Sequence, residues 1–368
     1  MKKILFITQN LERTGSEMVL WYLFNNLDKS KYEIHVFCME KGSLYNLLPS
    51  HIGKSVVYKK SGSLKQKIWR TVLKTVGINP LSYQLTALHN KFKPDYWYVN
   101  TLVIPWVYQV AKTIKVDVVT HVHELLQAFT IIKRNDFRLM VEESKVIIGC
   151  SEQVCEHFRV LGHEDVRLQS SFIDASDVHI ELDNVEALKR KHGIGSSDFV
   201  WVISGGTSYM KGFDLLVSLL IEFKNPNIKF LWIGKQRDDG LNYYIEELAR
   251  SKYPNQLIFA GAQSDDYYNY MAMGNGLLLL SREESFSLVT VEAAFLGLPT
   301  VGFGVGITKS FLKEGMGETV GVGDLEGLML VMEKWHTHTV DKALLKTEAL
   351  VYDVEHQISR YHKLLDEL

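Results

Sequence analysis

Two carboxylates, Glu284 and Glu292, stand eight positions apart in the stretch "SREESFSLVTVEAAFLGLPT", Ser281 to Thr300. From Ser287 to Leu296 this stretch is apolar on nearly every side, and Gly297 and Pro299 end it as a helix C-terminus is ended. It predicts a buried helix with Glu292 in its middle. A buried carboxylate without partners is costly or is neutralised. A sugar hydroxyl suits it, because each group satisfies the other; an ion pair with a distant lysine or arginine is the plainer reading. Ser285 or Ser287 can cap the helix, whose first amides and positive dipole end then make an anion site. Glu284 lies in the preceding loop and can point at the same ligand, although alone it would equally be a solvated acid. Glu283 reads as surface.

A cation stands in "FVWVISGG" followed by "TSYMKGFDLL". Gly205 and Gly206 allow close backbone approach after a strand, and Lys211, just before Gly212 and a helix, can neutralise a diphosphate. Near the N-terminus "RTGSE" follows the first strand and starts a helix with Ser16 as its N-cap. One glycine here, in place of G-x-G-x-x-G, counts against a nicotinamide enzyme. The strand "DVVTHVHEL" puts His121 and His123 on one face and Glu124 on the other. A metal pair would lack a third ligand; one functional histidine, with His121 in the core, is the favoured reading.

These residues need a scaffold. A chain of 368 residues predicts two domains, and 46% hydrophobic with 23% charged residues is an ordinary soluble composition. A net charge of −2 suggests no nucleic-acid partner. "MKKILFITQN" suits a first strand better than a signal peptide, and no segment has the apolar length of a membrane span. Cys38, Cys150 and Cys155 read as core thiols of a cytoplasmic protein. Short apolar strands alternate with helical patterns: "KILFIT", "YEIHVFCM", "SVVYKK", "YWYVNT", "DVVTHVH" and "KVIIGCS", then "FVWVISGG", "IKFLWIG", "QLIFAG", "GLLLLS" and "TVGFG".

Such alternation predicts an α/β protein with two doubly wound, Rossmann-like parallel sheets facing a cleft, motifs falling after strands. The polar stretch "VRLQSSFIDASDV", Val166 to Val178, reads as the linker. The domains expected are 1–170 and 171–349, with a C-terminal helix over 350–368 packing back on the first. The basic, amphipathic stretch 59–74, "KKSGSLKQKIWRTVLK", reads either as a solvated helix face or as a peripheral contact with the anionic inner face of a membrane.

The constellation resembles glycosyltransferase family 4, the retaining nucleotide-sugar enzymes of GT-B fold, over nearly the whole chain. "EESFSLVTVEAAFLGLPTV" looks like the family's E-x7-E stretch, "YMKGFDLL" like its K-G-x-D-L, and "TGSE" like its G-G-A-E loop. The resemblance implies donor-sugar hydroxyls at Glu284, ribose hydroxyls at Glu292, and sugar and diphosphate near the amides of Phe286 and Ser287. It implies Lys211 as the diphosphate cation, Gly15 and Gly206 by the donor phosphates, and His123 near the sugar's distal hydroxyls. Lys211, Glu284 and His123 would carry the chemistry.

The chain departs from the pattern. Both motif glycines are serines, Ser285 and Ser287; Thr14 replaces a glycine before Gly15; and around Thr207 the usual arginine is missing. That leaves diphosphate charge to be met more weakly or by another basic residue. The expected activity is transfer of a hexose from a nucleotide-diphosphate donor to a glycan or lipid-linked acceptor in bacterial surface-polysaccharide assembly. No D-x-D motif, metal or cofactor is called for. Alternatives are a nucleotide-sugar epimerase and a sugar-nucleotide-binding protein without catalysis.

Overall fold

The computed structural model describes residues 1–57, 63–223 and 225–368. They form two compact units, Met1–Ser171 with Ile358–Leu368, and Phe172–Gln357. The first holds seven parallel strands, β1 (Lys2–Thr8), β2 (Tyr32–Cys38), β3 (Gly53–Val56), β4 (Tyr96–Val99), β5 (Val118–Val122), β6 (Ser144–Gly149) and β7 (Val166–Leu168), in the order β3-β2-β1-β4-β5-β6-β7. The second holds β8 (Phe199–Ser204), β9 (Ile228–Ile233), β10 (Leu257–Gly261), β11 (Gly276–Leu279), β12 (Thr300–Phe303) and β13 (Gly317–Val320), in the order β10-β9-β8-β11-β12-β13.

Central strands are buried on both faces, so their sequences are near-continuous apolar runs rather than alternating ones, interrupted in β9 by Lys229. Within them the period of two still decides which core each residue joins. Trp201, Ile203, Phe230 and Trp232 pack on one face of the second sheet, while Val200, Val202, Leu231 and Ile233 pack on the other. Burying each such side chain contributes about 1.5–3 kcal/mol. In the first unit Phe6 meets Phe24 edge-on at 5.0 Å and Tyr98 at 4.7 Å.

Two strands escape the apolar-run reading. β7 lies inside the expected linker, and β13, "GETV", has no apolar run at all; both are short edge strands, only partly buried. β3 starts earlier than "SVVYKK", whose last three residues lie outside the described ones. The final helix, Val354–Asp366, crosses from one unit into the other along its own length. Cys38, Cys150 and Cys155 are free and buried.

Candidate functional site

In the second unit the strand order reverses between β8 and β11, and the loops leaving their carboxyl ends flank that switch point. The loop after β8 carries Lys211 in a single tight turn, Tyr209–Lys211, whose start is capped by Ser208. The loop after β11 carries Glu284. Lys211 Nζ donates to Glu284 Oε1 at 2.5 Å, with the carboxylate the more sheltered partner. Gly205 makes room for this lysine. A Cβ there would lie 3.2–3.4 Å from the Lys211 stem, and its φ of +143° is one that side chains rarely adopt.

A third loop, after β12, closes on the second. Ile307 N donates to Phe286 O at 2.8 Å, and a Cβ on Gly306 would come within 2.4 Å of the same carbonyl. The Phe286 ring is buried and meets Tyr352 edge-on at 5.4 Å.

The helix that follows, Leu288–Phe295, is not capped by a serine side chain as expected. Ser287 holds the N-cap position at φ +80°, in the left-handed region, and its Oγ meets Thr290 Oγ1 at 2.9 Å. Side-chain capping ordinarily needs an extended backbone at this position. A left-handed non-glycine residue costs about 1–2 kcal/mol. Thr290 N turns back to Ser287 O at 3.1 Å, which leaves the amides of Leu288 and Val289 to meet an anion.

Glu292, half-buried, accepts from Tyr267 Oη at 2.9 Å and from Tyr268. Tyr267 Oη also meets Ser204 Oγ, at the end of β8, at 2.9 Å. Burial pushes the Glu292 carboxyl up to about 7, against the two tyrosine hydrogen bonds that favour its charge. Among the described residues no cation pairs with it, so tyrosines stand where a lysine or arginine was the plainer expectation. Sequence reading missed Tyr267 and Tyr268, although "DDYYNY" follows β10 as site residues follow strands. It also missed Arg282, which grips Asp214 with two nitrogens at 2.8 and 2.7 Å and lies 3.7 Å from the Tyr209 ring centroid.

Gly15 and His123 lie in the first unit. Gly15 opens the helix Gly15–Asn26, with Thr14, not Ser16, at the N-cap. Ser16 falls in the first turn, where its hydroxyl donates to buried Glu17 at 2.8 Å. His121 is a core histidine, its Nδ1 2.8 Å from Tyr98 Oη and 3.3 Å from Tyr361 Oη. His123 meets it with ring centroids 4.0 Å apart and planes tilted by 43°, and its Nε2 lies 3.1 Å from Asn100 Oδ1.

Burial drives His123 down to about 3, so it is neutral at ordinary pH. Glu124 accepts from Thr101 Oγ1, His123 N at 3.0 Å and Leu102 N at 3.3 Å. Burial pushes it up to about 7. Among the described residues no group of three histidine, cysteine or acidic side chains gathers as metal ligands.

Two doubly wound parallel units, one with a lysine, a carboxylate and an open helix start at its switch point, define a protein of the GT-B fold. Residues 184–337 match the family model "Glycosyl transferases group 1". Over 221 residues, 57% of this chain and 56% of the relative, the sequence is 28% identical to N-acetyl-alpha-D-glucosaminyl L-malate synthase of Bacillus anthracis. Over 137 residues, 36% of this chain and 34% of the relative, it is 31% identical to alpha-monoglucosyldiacylglycerol synthase of Acholeplasma laidlawii. The matches thus span about half and a third of those curated relatives' lengths. The crystal structure of Anabaena Alr3699/HepE in complex with UDP-glucose superposes with a TM-score of 0.78 at 19% identity, covering 100% of both chains.

Proposed function

We propose that this protein transfers a hexose from a nucleoside-diphosphate sugar to a hydroxyl of a glycan or glycolipid, with retention, in bacterial surface-polysaccharide assembly. The observation that carries the reading is the Lys211–Glu284 pair at the switch point, beside a helix start with open amides. Donor diphosphate would exchange with Glu284 for Lys211 and take up those amides, freeing Glu284 for the sugar hydroxyls. Glu292, held by Tyr267, would receive the ribose. Neutral His123 would hydrogen-bond the sugar, and Gly15 and Gly206 would admit the phosphates.

In the transfer step the anomeric carbon–oxygen bond to the diphosphate breaks as the acceptor oxygen bonds to that carbon. The acceptor's proton passes to the departing diphosphate. Lys211 and the amides meet the charge that grows there, which is electrostatic stabilisation without a protein nucleophile or a metal. Two similar proteins are named for alpha-linked sugar products, and one neighbour is titled as a UDP-glucose complex, which supports the donor class and the retained configuration. The test is product formation across a panel of nucleotide sugars and acceptors. Donor conversion without acceptor would instead identify an epimerase, and binding without turnover a sugar-nucleotide-binding protein.

We propose further that the protein works on the inner face of an anionic membrane. The helix Leu64–Thr75 begins with a capping box between Ser63 and Gln66, and Leu73 anchors it. Leu64, Ile68, Val72 and Val76 follow one another at steps of four and are 73%, 56%, 55% and 63% exposed. The same segment carries Lys65, Lys67, Arg70 and Lys74 and no acidic residue. Such a face favours the headgroup boundary of an anionic bilayer. Lys59 to Gly62, the start of the basic stretch, lie outside the described residues.

A further inference from the structure

The Gly205–Gly206 turn lies between two lysines. A Cβ on Gly205 would touch the stem of Lys211, whereas a Cβ on Gly206 would lie 3.7 Å from the carbonyl of Lys235. Lys235 follows β9, the neighbour of β8 in the sheet. The two strand-end turns are locked together. Trp232 Nε1 donates to Gly205 O at 2.7 Å, and at Gly234, φ +155°, a Cβ would come within 1.9 Å of that same carbonyl. Only glycine allows this approach.

Thr207, fully buried, completes the lock. Its N–H donates to Lys235 O at 3.1 Å, and its Oγ1 accepts from Arg237 N at 2.9 Å. Around this threonine the resemblance has an arginine.

The charges here are unequally committed. Lys211 is neutralised by Glu284, Arg282 by Asp214, and Arg237 lies 3.2 Å from Asp239. Lys235 is exposed, and among the described residues its ammonium has no ion-pair partner. It is a strongly hydrated point charge on a flexible stem, fixed only at its backbone. A dianionic group over the glycine turn would have the Lys211 stem on one side and, on the other, the backbone from which the exposed Lys235 side chain extends.

We propose that Lys235 is the second cation of the nucleoside-diphosphate site and that Thr207 is the residue that positions it. The inference rests on the donor reading above. It assigns the charge compensation that the missing arginine leaves open to a residue on a different strand-end turn.

Calorimetric titration with UDP, ADP and GDP, and with the matching nucleosides, tests it on the full chain. For whichever diphosphate binds, Lys235→Gln should weaken affinity about tenfold, as expected for a charged hydrogen bond, and flatten its salt dependence. Nucleoside affinity should stay unchanged, and Lys235→Arg should restore most of the loss. In a Thr207→Val background Lys235→Gln should cost much less, which a merely structural threonine would not produce. Lys252→Gln, a surface lysine of the same unit, is the control for general charge. If native protein binds none of the three diphosphates, the donor reading itself fails and takes this inference with it. If it binds one, and Lys235→Gln matches the control or weakens the nucleoside equally, the donor reading stands and Lys235 is overturned.

Discussion

Lys211 and Glu284 neutralise each other across 2.5 Å, although 73 positions separate them in the chain. A diphosphate that takes the lysine must therefore displace a carboxylate, and the two residues should respond oppositely to substitution. Glu284→Gln should leave affinity for free nucleoside diphosphate unchanged or tighten it, while donor-sugar use loses about 1–3 kcal/mol in kcat/KM. Lys211→Ala should lower kcat by about 10²–10³, because it removes a contact that strengthens as leaving-group charge develops. Equal weakening of nucleotide binding by both variants would overturn this assignment.

Glu292 links function to pH. Its carboxyl, raised from 4.5 to about 7, keeps a proton in the folded protein that the unfolded chain has already released. The folded state thus binds more protons between those values, and this group's contribution to stability falls as pH rises through that window. Glu292→Gln keeps an acceptor for Tyr267 and removes the penalty. Denaturant unfolding should show the variant more stable than native protein by about 1–3 kcal/mol at about pH 8, with no gain near pH 4. The same variant should bind free nucleoside diphosphate more weakly. A variant less stable than native protein above pH 7 would contradict this account of the carboxyl.

The exposed ridge on Leu64–Thr75 gives a prediction that separates location from chemistry. Replacing Lys65, Lys67 and Arg70 with Gln should lower binding to phosphatidylglycerol vesicles and make it less sensitive to salt. Replacing Leu64, Ile68 and Val72 with Ser should lower it at every salt concentration. Activity on a soluble acceptor should survive both. Flotation assays decide, and native protein that stays off the vesicles would end the idea.

Gly205 serves the site without touching a ligand through any side chain. Gly205→Ala forces a Cβ against the Lys211 stem and a strained backbone. The expected loss is about 1–3 kcal/mol of stability, with a raised donor KM. Thermal unfolding and steady-state kinetics read these separately. Gly193→Ala, at a positive φ with open space around it, gives the backbone cost alone.

The strands most legible in the sequence are those buried on both faces, because only a largely apolar run can fill β4 or β11. The edges, β7 and β13, carry polar residues that a half-solvated strand tolerates, and so they resembled loops. Lys211, Glu284 and Glu292 stood out because each follows a strand in a motif of unusual composition. Their partners did not. Tyr267 lies 25 positions from Glu292, and Thr207 lies 28 from Lys235; only the sheet order brings them together. The two serine caps were misplaced because capping depends on backbone angles, which Ser287 takes from the left-handed region.

Tyr361 sits fully buried against Tyr98, 263 positions upstream, and with Leu364 and Leu365 joins a core otherwise built from the chain's first half. Synthesis on the ribosome runs from the amino end, and domains ordinarily fold as they emerge. Here the early unit cannot complete its packing until residues 358–368 are made. Its apolar sheet must wait, incompletely closed, while the later unit is translated and folds. Ribosome-stalled chains ending before residue 358 should therefore hold a second unit closer to its final form than the first.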